Sequence, residues 1–434
     1  MLIVGADFTP SSLPPALRIR FFAQYLPEFG WRPIVLTTHP KYYELSVDPE
    51  NNQLLPSWLE VVRTPALPVA LTRKVGIGDV GIRSLWHHWH ALTRLCRTQQ
   101  IDLVFIPVPP NASMILGRLA KARFGVPYVV DYIDPVVTDY YWKLPRSQRP
   151  PKWPLAYLLS RAMESFTLRH VDHLVGVDQT YVAGAYSRYP WLKTVGNTGI
   201  PYGGEPSDFG YLRCNPRKNF IFDKRDGFVH ISCVGRGGRD ILSALRLLFR
   251  AVKLGLSHTP GVFTKLRLHF VGTTYGPNSK DQYQVLPTAR EIGIEELVDE
   301  HPMRVAYLDS IQLLLDSHGL IALGSEEAHY TASKIFPYIL SQRPILAIFR
   351  NESSVIPILK DVGIEEVVTF DPKTVDGREV ERIFHHLESI MSLPSGYERP
   401  LRAEAMQPYT TRTMAARVAA VFDDVVEKHS SNGH

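Results

Sequence analysis

Short, uniformly apolar runs alternate along this chain with longer segments in which apolar residues recur at helical spacing. Such runs predict strands buried on both faces of a parallel sheet, because a strand with one wet face would alternate apolar and polar residues. The intervening segments predict helices, and the helix predicted over 16–26 stops before Pro27, since the residue preceding proline disfavours the α region. The pattern therefore predicts an α/β fold. The predicted strands are residues 2–5, 33–37, 102–107, 128–131, 173–177, 230–234, 267–271, 320–323, 345–349 and 367–369.

The alternation breaks once, over residues 195–228, which are rich in glycine, proline and asparagine and show no sustained period. That composition predicts a loop or linker. A chain of 434 residues is long enough for two or three domains of about 150–200 residues each. We therefore predict two doubly wound domains, the first over residues 1–205 and the second over residues 206–404.

Composition narrows the class of protein. Apolar residues make up 45% of the chain and charged residues 21%, as in ordinary globular proteins. A net charge of +5 is too small to indicate nucleic-acid binding, but it suits a phosphorylated substrate or an anionic membrane surface. The few, widely spaced cysteines indicate neither a disulfide framework nor a zinc site. Since no run of eighteen apolar residues and no signal sequence are found, we expect a cytoplasmic protein.

A glycine-rich loop, GRGGRD, stands between a predicted strand and a predicted helix. Gly235, Gly237 and Gly238 would let the backbone approach a diphosphate closely. Arg236 and the following helix N-terminus would add positive potential. The alternative is a tight turn with a solvated arginine, and Arg239 could equally point outward. In its strand–loop–helix context we interpret the loop as a diphosphate-binding site.

The segment 326–348, EEAHYTASKIFPYILSQRPILAI, predicts a polar turn, a helix and a buried strand in succession. Lys334 stands where the helix begins, directly after Ser333. A lysine is unfavourable at the positive end of a helix dipole, so its position makes sense if an anion binds beside it. Backbone N–H groups at this helix start, together with Lys334, therefore predict a second part of the anion site.

Polar residues also follow two predicted strands in the first half. Asp131 and Asp134 stand at the carboxyl end of the strand YVVD, where doubly wound sheets bind ligands. They are candidates for ligand binding or acid–base chemistry, and the alternative is that they cap the loop. Asn111 lies in the loop after the strand DLVFIP, where we find no candidate catalytic histidine.

Several phrases of the sequence together resemble the GT-B glycosyltransferases, close to glycosyltransferase family 4. They are FTPSSLPPALRIRFFAQYLPEFGWRPIVLTTHP, FGVPYVVDYIDP, IPYGGEPSDF, ISCVGRGGRD and TASKIFPY, and they span nearly the whole chain. The resemblance implies two Rossmann-like doubly wound parallel-sheet domains facing across a cleft, the first holding the acceptor and the second the nucleotide sugar. It also implies that the C-terminal helix, residues 405–434, packs back onto the first domain.

By this resemblance we expect an enzyme that moves a sugar from a nucleotide diphosphate sugar to a hydroxyl of a glycan, lipid-linked or small-molecule acceptor, as in polysaccharide biosynthesis. Retention of anomeric configuration, without a metal or other cofactor, is implied as well. Arg236, Lys334 and Asp131 are the expected catalytic residues, and Asp131, Asp134 and Asn111 are expected to bind the acceptor. The expected donor-binding residues are Gly235, Arg236, Gly237, Gly238, Arg239, Glu326, Glu327, Ser333 and Lys334.

The sequence departs from the family pattern at the donor ribose. The family often places two glutamates eight residues apart, and here those positions hold His329 and Pro337. Proline cannot bind a ribose hydroxyl, so we expect either that Glu326 or Glu327 serves instead or that the donor is held in a different way. The first loop also lacks the family's glycine pair. Two alternatives therefore stay open: a degenerate GT-B module that binds a partner or glycan without activity, and a sugar-nucleotide epimerase.

Two further signals concern membranes and metals. Residues 140–161 combine Trp, Tyr, Lys and Arg with prolines, which is typical of a lipid interface or of a loop lining an acceptor site, so peripheral contact at the inner membrane face is an open alternative. The phrase WHHWH places His87 and His90 at a spacing that can bind a metal, but no third ligand is evident nearby. We expect a helix surface there and no metal.

Overall fold

The computed structural model describes residues 1–44, 47–143, 146, 149, 153–274, 282–326, 333–364, 366–372 and 377–431. The chain divides into two compact units, Met1–Tyr202 with Thr411–His434, and Gly203–Thr410. Strands and helices alternate within each unit, as the apolar pattern predicts. In the described residues, no helix combines the length and the apolar character needed to cross a bilayer.

Each element has the following bounds. The strands are β1 (Leu2–Val4), β2 (Ile34–Thr38), β3 (Glu60–Thr64), β4 (Val104–Val108), β5 (Tyr128–Tyr132), β6 (His173–Gly176), β7 (Gly196–Gly199), β8 (Val229–Val234), β9 (Leu266–Val271), β10 (Val298–His301), β11 (Gly319–Leu323), β12 (Ile345–Arg350) and β13 (Val367–Phe370). The α-helices are α1 (Pro14–Tyr25), α2 (Val69–Thr72), α3 (Val80–Thr98), α4 (Met114–Phe124), α5 (Tyr140–Lys143), α6 (Trp153–Leu168), α7 (Gln179–Arg188), α8 (Pro206–Cys214), α9 (Leu242–His258), α10 (Pro260–Phe263), α11 (Leu286–Ile292), α12 (Tyr307–Asp316), α13 (Ile335–Ser341), α14 (Val355–Asp361), α15 (Gly377–Ser392), α16 (Ala403–Met406) and α17 (Thr411–Ser431).

In the first unit, seven strands form a parallel sheet in the order β3-β2-β1-β4-β5-β6-β7. Both faces of the inner strands are buried: Val4 and Ile106 belong to one apolar core, and Ile3 and Phe105 belong to the other. Strand order reverses between β1 and β4. The loops that follow these two strands therefore part at the sheet's carboxyl edge, which is where doubly wound sheets bind ligands.

The C-terminal helix α17 belongs to the first unit, where it packs against α1. Phe422 makes edge-to-face contacts with Phe105 and Trp31, at centroid distances of 5.1 Å and 5.4 Å. The Trp31 indole N–H also donates to Asp423 Oδ1 at 2.9 Å. The amphipathic tail thus covers one face of the sheet, and its apolar residues complete the core there.

In the second unit, six strands form a parallel sheet in the order β10-β9-β8-β11-β12-β13. Helices α9 and α15 pack together over one face of this sheet, on a core that includes Ile231, Leu268 and Ile348. Strand order reverses between β8 and β11. The glycine-rich loop follows β8 and the segment that leads to Lys334 follows β11, so the two predicted anion-binding elements flank the switch point of one sheet.

The inner strands lie where the apolar runs predict them, which confirms the doubly wound α/β architecture. Three edge strands, β3, β7 and β10, carry no such run, since an outer strand keeps polar residues along its open side. The prediction of a continuous loop over residues 195–228 is wrong at two places. Residues 196–199 pair with β6 as β7, and residues 206–214 form α8, whose first helical position is Pro206.

Candidate functional site

The glycine-rich loop needs its glycines for conformation and for space. Gly235 and Gly238 have φ values of 136° and 150°, in a region that residues with a side chain rarely adopt. A Cβ atom on Gly237 would lie only 3.0 Å from the Cβ atom of Thr273, in the loop after β9. The backbone at the end of β8 is therefore bare, and a ligand could approach it closely.

Arg236 stands among these glycines with an exposed side chain. Its guanidinium group forms an ion pair with Asp240, four residues further on. Exposed ion pairs of this kind stabilise the fold by only about 0–1 kcal/mol, so breaking the pair to bind a more highly charged anion costs little free energy. Arg239 begins the short 3₁₀ turn Arg239–Ile241 that leads into α9.

Lys334 lies directly beside the glycine-rich loop, although the two are far apart in sequence. Its Cδ atom is 3.5 Å from the position that a Cβ on Gly235 would take. Burial raises the pKa of the Cys233 thiol in β8, and the positive charge of Lys334 opposes that shift, which places the ammonium group near the end of the strand. The structure thus brings together Gly235, Arg236 and Lys334, the core of the predicted diphosphate site.

Tyr338 holds the start of α13 in this position. Its hydroxyl accepts a hydrogen bond from the Val234 N–H at 2.7 Å and donates to the Val234 carbonyl at 3.2 Å. The ring is buried. Sequence reasoning did not identify this role of Tyr338. The available signal was a hydroxyl on an otherwise apolar face, because a buried tyrosine O–H normally finds a polar partner.

Glu326, a predicted donor-binding residue, is bound to the start of α9. Its Oε1 accepts from the Ser243 N–H at 3.2 Å and from the Ser243 hydroxyl at 2.5 Å, and its own N–H donates to the Asp240 carbonyl at 2.6 Å. A carboxylate in this place caps the helix and satisfies an N–H that sequence reasoning reserved for a diphosphate. A ribose-binding role for Glu326 stays a prediction.

The rest of the predicted donor segment divides as follows. Ser333 is exposed in the turn that precedes Lys334. Pro337 occupies the first turn of α13, where its missing N–H would have had no partner within the helix. Glu327 and His329 lie outside the described residues.

In the first unit, Asp131 is not exposed at the strand end as the sequence suggests. Its carboxylate is fully buried and accepts two hydrogen bonds from Arg18 of α1, from Nε to Oδ2 at 2.6 Å and from Nη2 to Oδ1 at 3.0 Å. Arg18 also donates from Nη2 to the Ile200 carbonyl at 2.8 Å. The pair ties α1, β5 and the end of β7 together, so Asp131 has a structural partner, while its predicted chemical role stays a prediction.

Asn111 and Asp134 occupy neighbouring loops at the carboxyl edge of the first sheet. Asn111 begins the short 3₁₀ turn after β4 and is half-buried. Asp134 follows β5, and the residue as a whole is exposed. Its carboxyl group is nevertheless partly desolvated, which raises its pKa. Since β4 and β5 are paired, these two predicted acceptor residues lie at the same edge, whereas Asp131 points into the interior.

Sequence reasoning missed Asp7, in the loop after β1. Burial is the main cause that raises its pKa to about 6; the Asp79 and Glu44 carboxylates raise it further, and Arg83 opposes them. A perturbed carboxyl at a sheet's switch point is a candidate for substrate binding. The rule that selected Asp134, an acidic residue in the loop that follows a strand, would also have selected Asp7.

Hydrogen bonds between the neighbouring loops fix the surroundings of Asp7. Tyr43 accepts from the Phe8 N–H at 3.0 Å and donates to the Thr38 carbonyl at 3.0 Å, while Arg63 donates to the Thr9 carbonyl at 2.7 Å. These bonds join the loop after β1 to the loop after β2 and to strand β3. Several hydrogen bonds thus hold the polar carboxyl edge of the first sheet in place.

Of the histidines of WHHWH, His87 is half-buried and His90 is exposed on α3, whereas His88 faces inward. His90 Nδ1 lies 2.8 Å from the Trp86 carbonyl of its own helix. His88 is buried with Nε2 3.3 Å from the Thr38 hydroxyl, and its burial lowers its pKa to about 4.

Comparison with known proteins agrees with this architecture. Residues 15–190 match the family described as "Glycosyl transferase 4-like domain". No curated protein matches the chain. Among solved structures, HepE from Anabaena is 13% identical with a TM-score of 0.57, over 98% of this chain and 100% of that one. The UDP-forming trehalose-phosphate synthase from Burkholderia xenovorans is 12% identical with a TM-score of 0.59, over 98% and 99%.

A glycosyltransferase from Rickettsia africae is similar as well, at 11% identity and a TM-score of 0.53, over 98% of both chains. At identities this low, structural similarity establishes the fold alone. The similarity spans nearly the full length of each structure and confirms the GT-B fold class. The family match concerns the first unit, because it covers residues 15–190. Residues 15–190 thus match a glycosyl transferase 4-like domain, and the chain as a whole has the GT-B fold.

Proposed function

We propose that this protein is a glycosyltransferase that moves a hexose-like group from a UDP-sugar to a hydroxyl of a glycan, lipid-linked or small-molecule acceptor. Support for the nucleotide comes from the similar structures: HepE is described with UDP and with UDP-glucose, and the trehalose-phosphate synthases are UDP-forming. The family resemblance supports retention of anomeric configuration and a transfer step in which no metal takes part.

The observation that carries the proposal is the position of Lys334 over Gly235. As the sugar leaves, negative charge grows on the diphosphate, and preorganised positive groups stabilise it most where water is displaced. Lys334 is half-buried and anchored through Tyr338. Arg236, which forms a surface ion pair with Asp240, supplies a second cation. These two side chains would perform the task that a metal ion performs in other transferases.

For the acceptor, the proposal uses the carboxyl edge of the first sheet. Asn111, Asp134 and Asp7 are polar, lie in loops that follow β4, β5 and β1, and are all at least partly accessible. Such groups can hydrogen-bond sugar hydroxyls. Asp131 would act at a distance, by fixing β5 beneath Asp134.

A nucleotide screen tests the donor. Thermal unfolding is followed with UDP-, GDP-, ADP- and dTDP-sugars, and UDP-sugars are expected to raise the melting temperature most. Lys334→Ala should remove that shift and lower kcat by about 10²–10³-fold, while Lys360→Ala, an exposed lysine of α14 in the same unit, should change neither. If no nucleotide sugar stabilises the protein, the proposed donor is wrong.

The exposed face of α6 is relevant to whether the acceptor is linked to a lipid. Leu155, Leu158 and Leu159 are 61%, 62% and 62% exposed, and Phe166 is 49% exposed at compatible helical spacing. The only acidic residue of α6, Glu164, points inward and is paired with Arg188 at 2.8 Å. Arg161 and Arg169 remain at the surface, so the exposed face is apolar and basic.

We propose that this face rests on an anionic lipid surface, as an amphipathic helix with leucines in the interface and arginines at the headgroups does. The protein should float with vesicles of phosphatidylglycerol at low salt and not with phosphatidylcholine alone. Leu158→Glu should abolish flotation. Leu71→Glu is a matched control, because Leu71 is 63% exposed on α2 of the same unit. Absence of flotation with the wild-type protein would reject lipid contact.

A further inference from the structure

Three side chains with metal-ligating atoms converge at one edge of the second sheet. His269 lies in β9, and Asp299 and His301 lie in the paired edge strand β10, where the register sets His269 opposite Asp299. His269 Nδ1 is 3.4 Å from Asp299 Oδ2, and His301 Nε2 is 2.8 Å from the same oxygen. One candidate ligand atom from each residue lies within 4.8 Å of the others.

A chain of hydrogen bonds behind the cluster orients His269. Asp226 Oδ1 lies 2.9 Å from His230 Nε2, and His230 Nδ1 lies 2.9 Å from His269 Nε2. The carboxylate can only accept, so His230 donates from Nε2 and, as a neutral imidazole, accepts at Nδ1. His269 must then donate from Nε2. Its lone pair at Nδ1 faces Asp299.

This lone pair is the second observation that indicates a ligand. His269 is 4% exposed, and its Nδ1 has no hydrogen bond of acceptable geometry. A buried lone pair that faces a carboxylate at 3.4 Å brings two acceptors together, which is unfavourable unless a proton or a metal cation lies between them. Phe222 stacks on the His269 ring at 4.8 Å and fixes its plane.

We propose that His269 Nδ1, Asp299 and His301 Nε2 bind a divalent transition metal of the Zn²⁺ class, with water completing the coordination. Bonds of about 2.0–2.1 Å at tetrahedral angles place neighbouring ligand atoms about 3.4 Å apart, which the first pair already matches. The second pair has to open slightly, and His301 can move because it is half-exposed on an edge strand. His230 would be the outer partner that ligating histidines normally have.

The metal would join the edge strand to the interior beneath the glycine-rich loop. The Gly272 N–H donates to the His301 carbonyl at 2.8 Å, and the Gly237 N–H donates to the Thr273 carbonyl at 3.0 Å. Strand β10, the loop after β9 and the glycine-rich loop are thus bonded in succession. The proposed role is structural and does not depend on glycosyl transfer.

The test is a titration of chelator-treated full-length protein with Zn²⁺ and with Co²⁺. Calorimetry should show about one strong site per chain, and Co²⁺ should give the visible absorption of tetrahedral coordination. His301→Ala and Asp299→Asn should each weaken Zn²⁺ binding at least about tenfold. His385→Ala is the control, because His385 is an exposed histidine of α15 in the same unit, and it should leave the affinity unchanged.

Binding that is absent, or that survives both His301→Ala and Asp299→Asn, overturns the proposal. Imidazole NMR of the metal-free protein provides an independent readout. If His269 carries a proton on Nδ1 at neutral pH and Zn²⁺ does not displace it, a proton occupies the position assigned to the metal, and the proposal is equally wrong. A shift of the Nδ1 nitrogen resonance of His269 on addition of one equivalent of Zn²⁺ supports it.

Discussion

Replacing Asp131 by asparagine should weaken the fold of the first unit rather than the chemistry of transfer. The Arg18–Asp131 pair has the parallel two-bond geometry in which arginine binds carboxylates most strongly, and both side chains are fully buried. Asparagine keeps the shape of the side chain and removes its charge. The guanidinium group of Arg18 would then be buried beside a neutral amide.

The magnitude follows from that burial. Removing one partner of a buried ion pair costs about 3–5 kcal/mol, mostly because the remaining charge is uncompensated. The first unit has roughly 230 residues, and unfolding entropy is about 2.1 cal/mol/K per residue. The melting temperature of this unit should therefore fall by roughly 6–10 °C. Part of the loss is moderated by the bond from Arg18 to the Ile200 carbonyl, which persists.

Differential scanning calorimetry of matched variants provides the assay. Asp134→Asn makes the same substitution three residues away at an exposed position, and its effect should stay within about 0.5 kcal/mol, or about 1 °C. The double variant Arg18→Met with Asp131→Leu replaces both charges by apolar groups and should recover most of the stability that either single change loses.

Kinetics at a temperature below the transition separates the two roles of Asp131. If the residue is structural, kcat/KM of Asp131→Asn should fall less than about tenfold, or less than about 1.4 kcal/mol of transition-state stabilisation. A variant that melts within about 2 °C of the wild type but loses a hundredfold in kcat/KM would refute the reasoning from the ion pair. Asp131 would then be the reactive carboxylate that the sequence suggests.

Three further changes test other parts of the structure. Tyr338→Phe removes both bonds to Val234, so urea unfolding of the second unit should show a loss of about 1–2 kcal/mol and the donor KM should rise; unchanged stability would argue against the anchor. Glu326→Gln should cost about 0.5–1 kcal/mol at the start of α9 and leave UDP-sugar affinity within about threefold, whereas a tenfold loss would support a ribose contact. Burial raises the pKa of Asp7 to about 6, so the native state retains a proton that the unfolded state releases, and stability falls as pH rises from about 4 through 6. The melting temperature of Asp7→Asn relative to wild type should therefore increase between pH 4 and 7, and a constant difference would contradict this assignment.

How far the sequence predicts the fold depends on the position of each strand in its sheet. Inner strands such as β4 and β12 are buried on both faces, so their composition is apolar throughout and their positions can be read directly. The outer strand β7 has the sequence GNTG, and the outer strand β10 has VDEH. These two outer strands lack a partner on one side and keep polar residues, so their composition resembles that of a loop. The outer strand β13, VVTF, is apolar and could be predicted.

In the candidate site, residues that belong to a local sequence pattern could be predicted, whereas contacts between distant parts of the chain could not. Gly235 and Lys334 could be proposed because each sits in a recognisable strand–loop–helix context. The partners of Asp131 and Glu326 could not, because Arg18 and Ser243 lie in other elements and no local pattern connects them. The proposed metal ligands are likewise separated along the chain, and two of them stand on the edge strand that the apolar pattern does not reveal.

At the proposed donor site, the structure assigns less of the positive potential to helix N-termini, and more of it to side chains, than the sequence predicts. Sequence reasoning divided the stabilisation of the diphosphate between two helix N-termini and two cations. In the structure, the Ser243 N–H at the start of α9 is bound by the Glu326 carboxylate. The other helix, α13, has seven residues, so few peptide dipoles align along it. In the proposed mechanism, Lys334 and Arg236 would therefore carry most of the compensation. Removal of the Lys334 ammonium group should then cost about 2.7–4 kcal/mol in the transition state, whereas neutralising Glu326 should cost little.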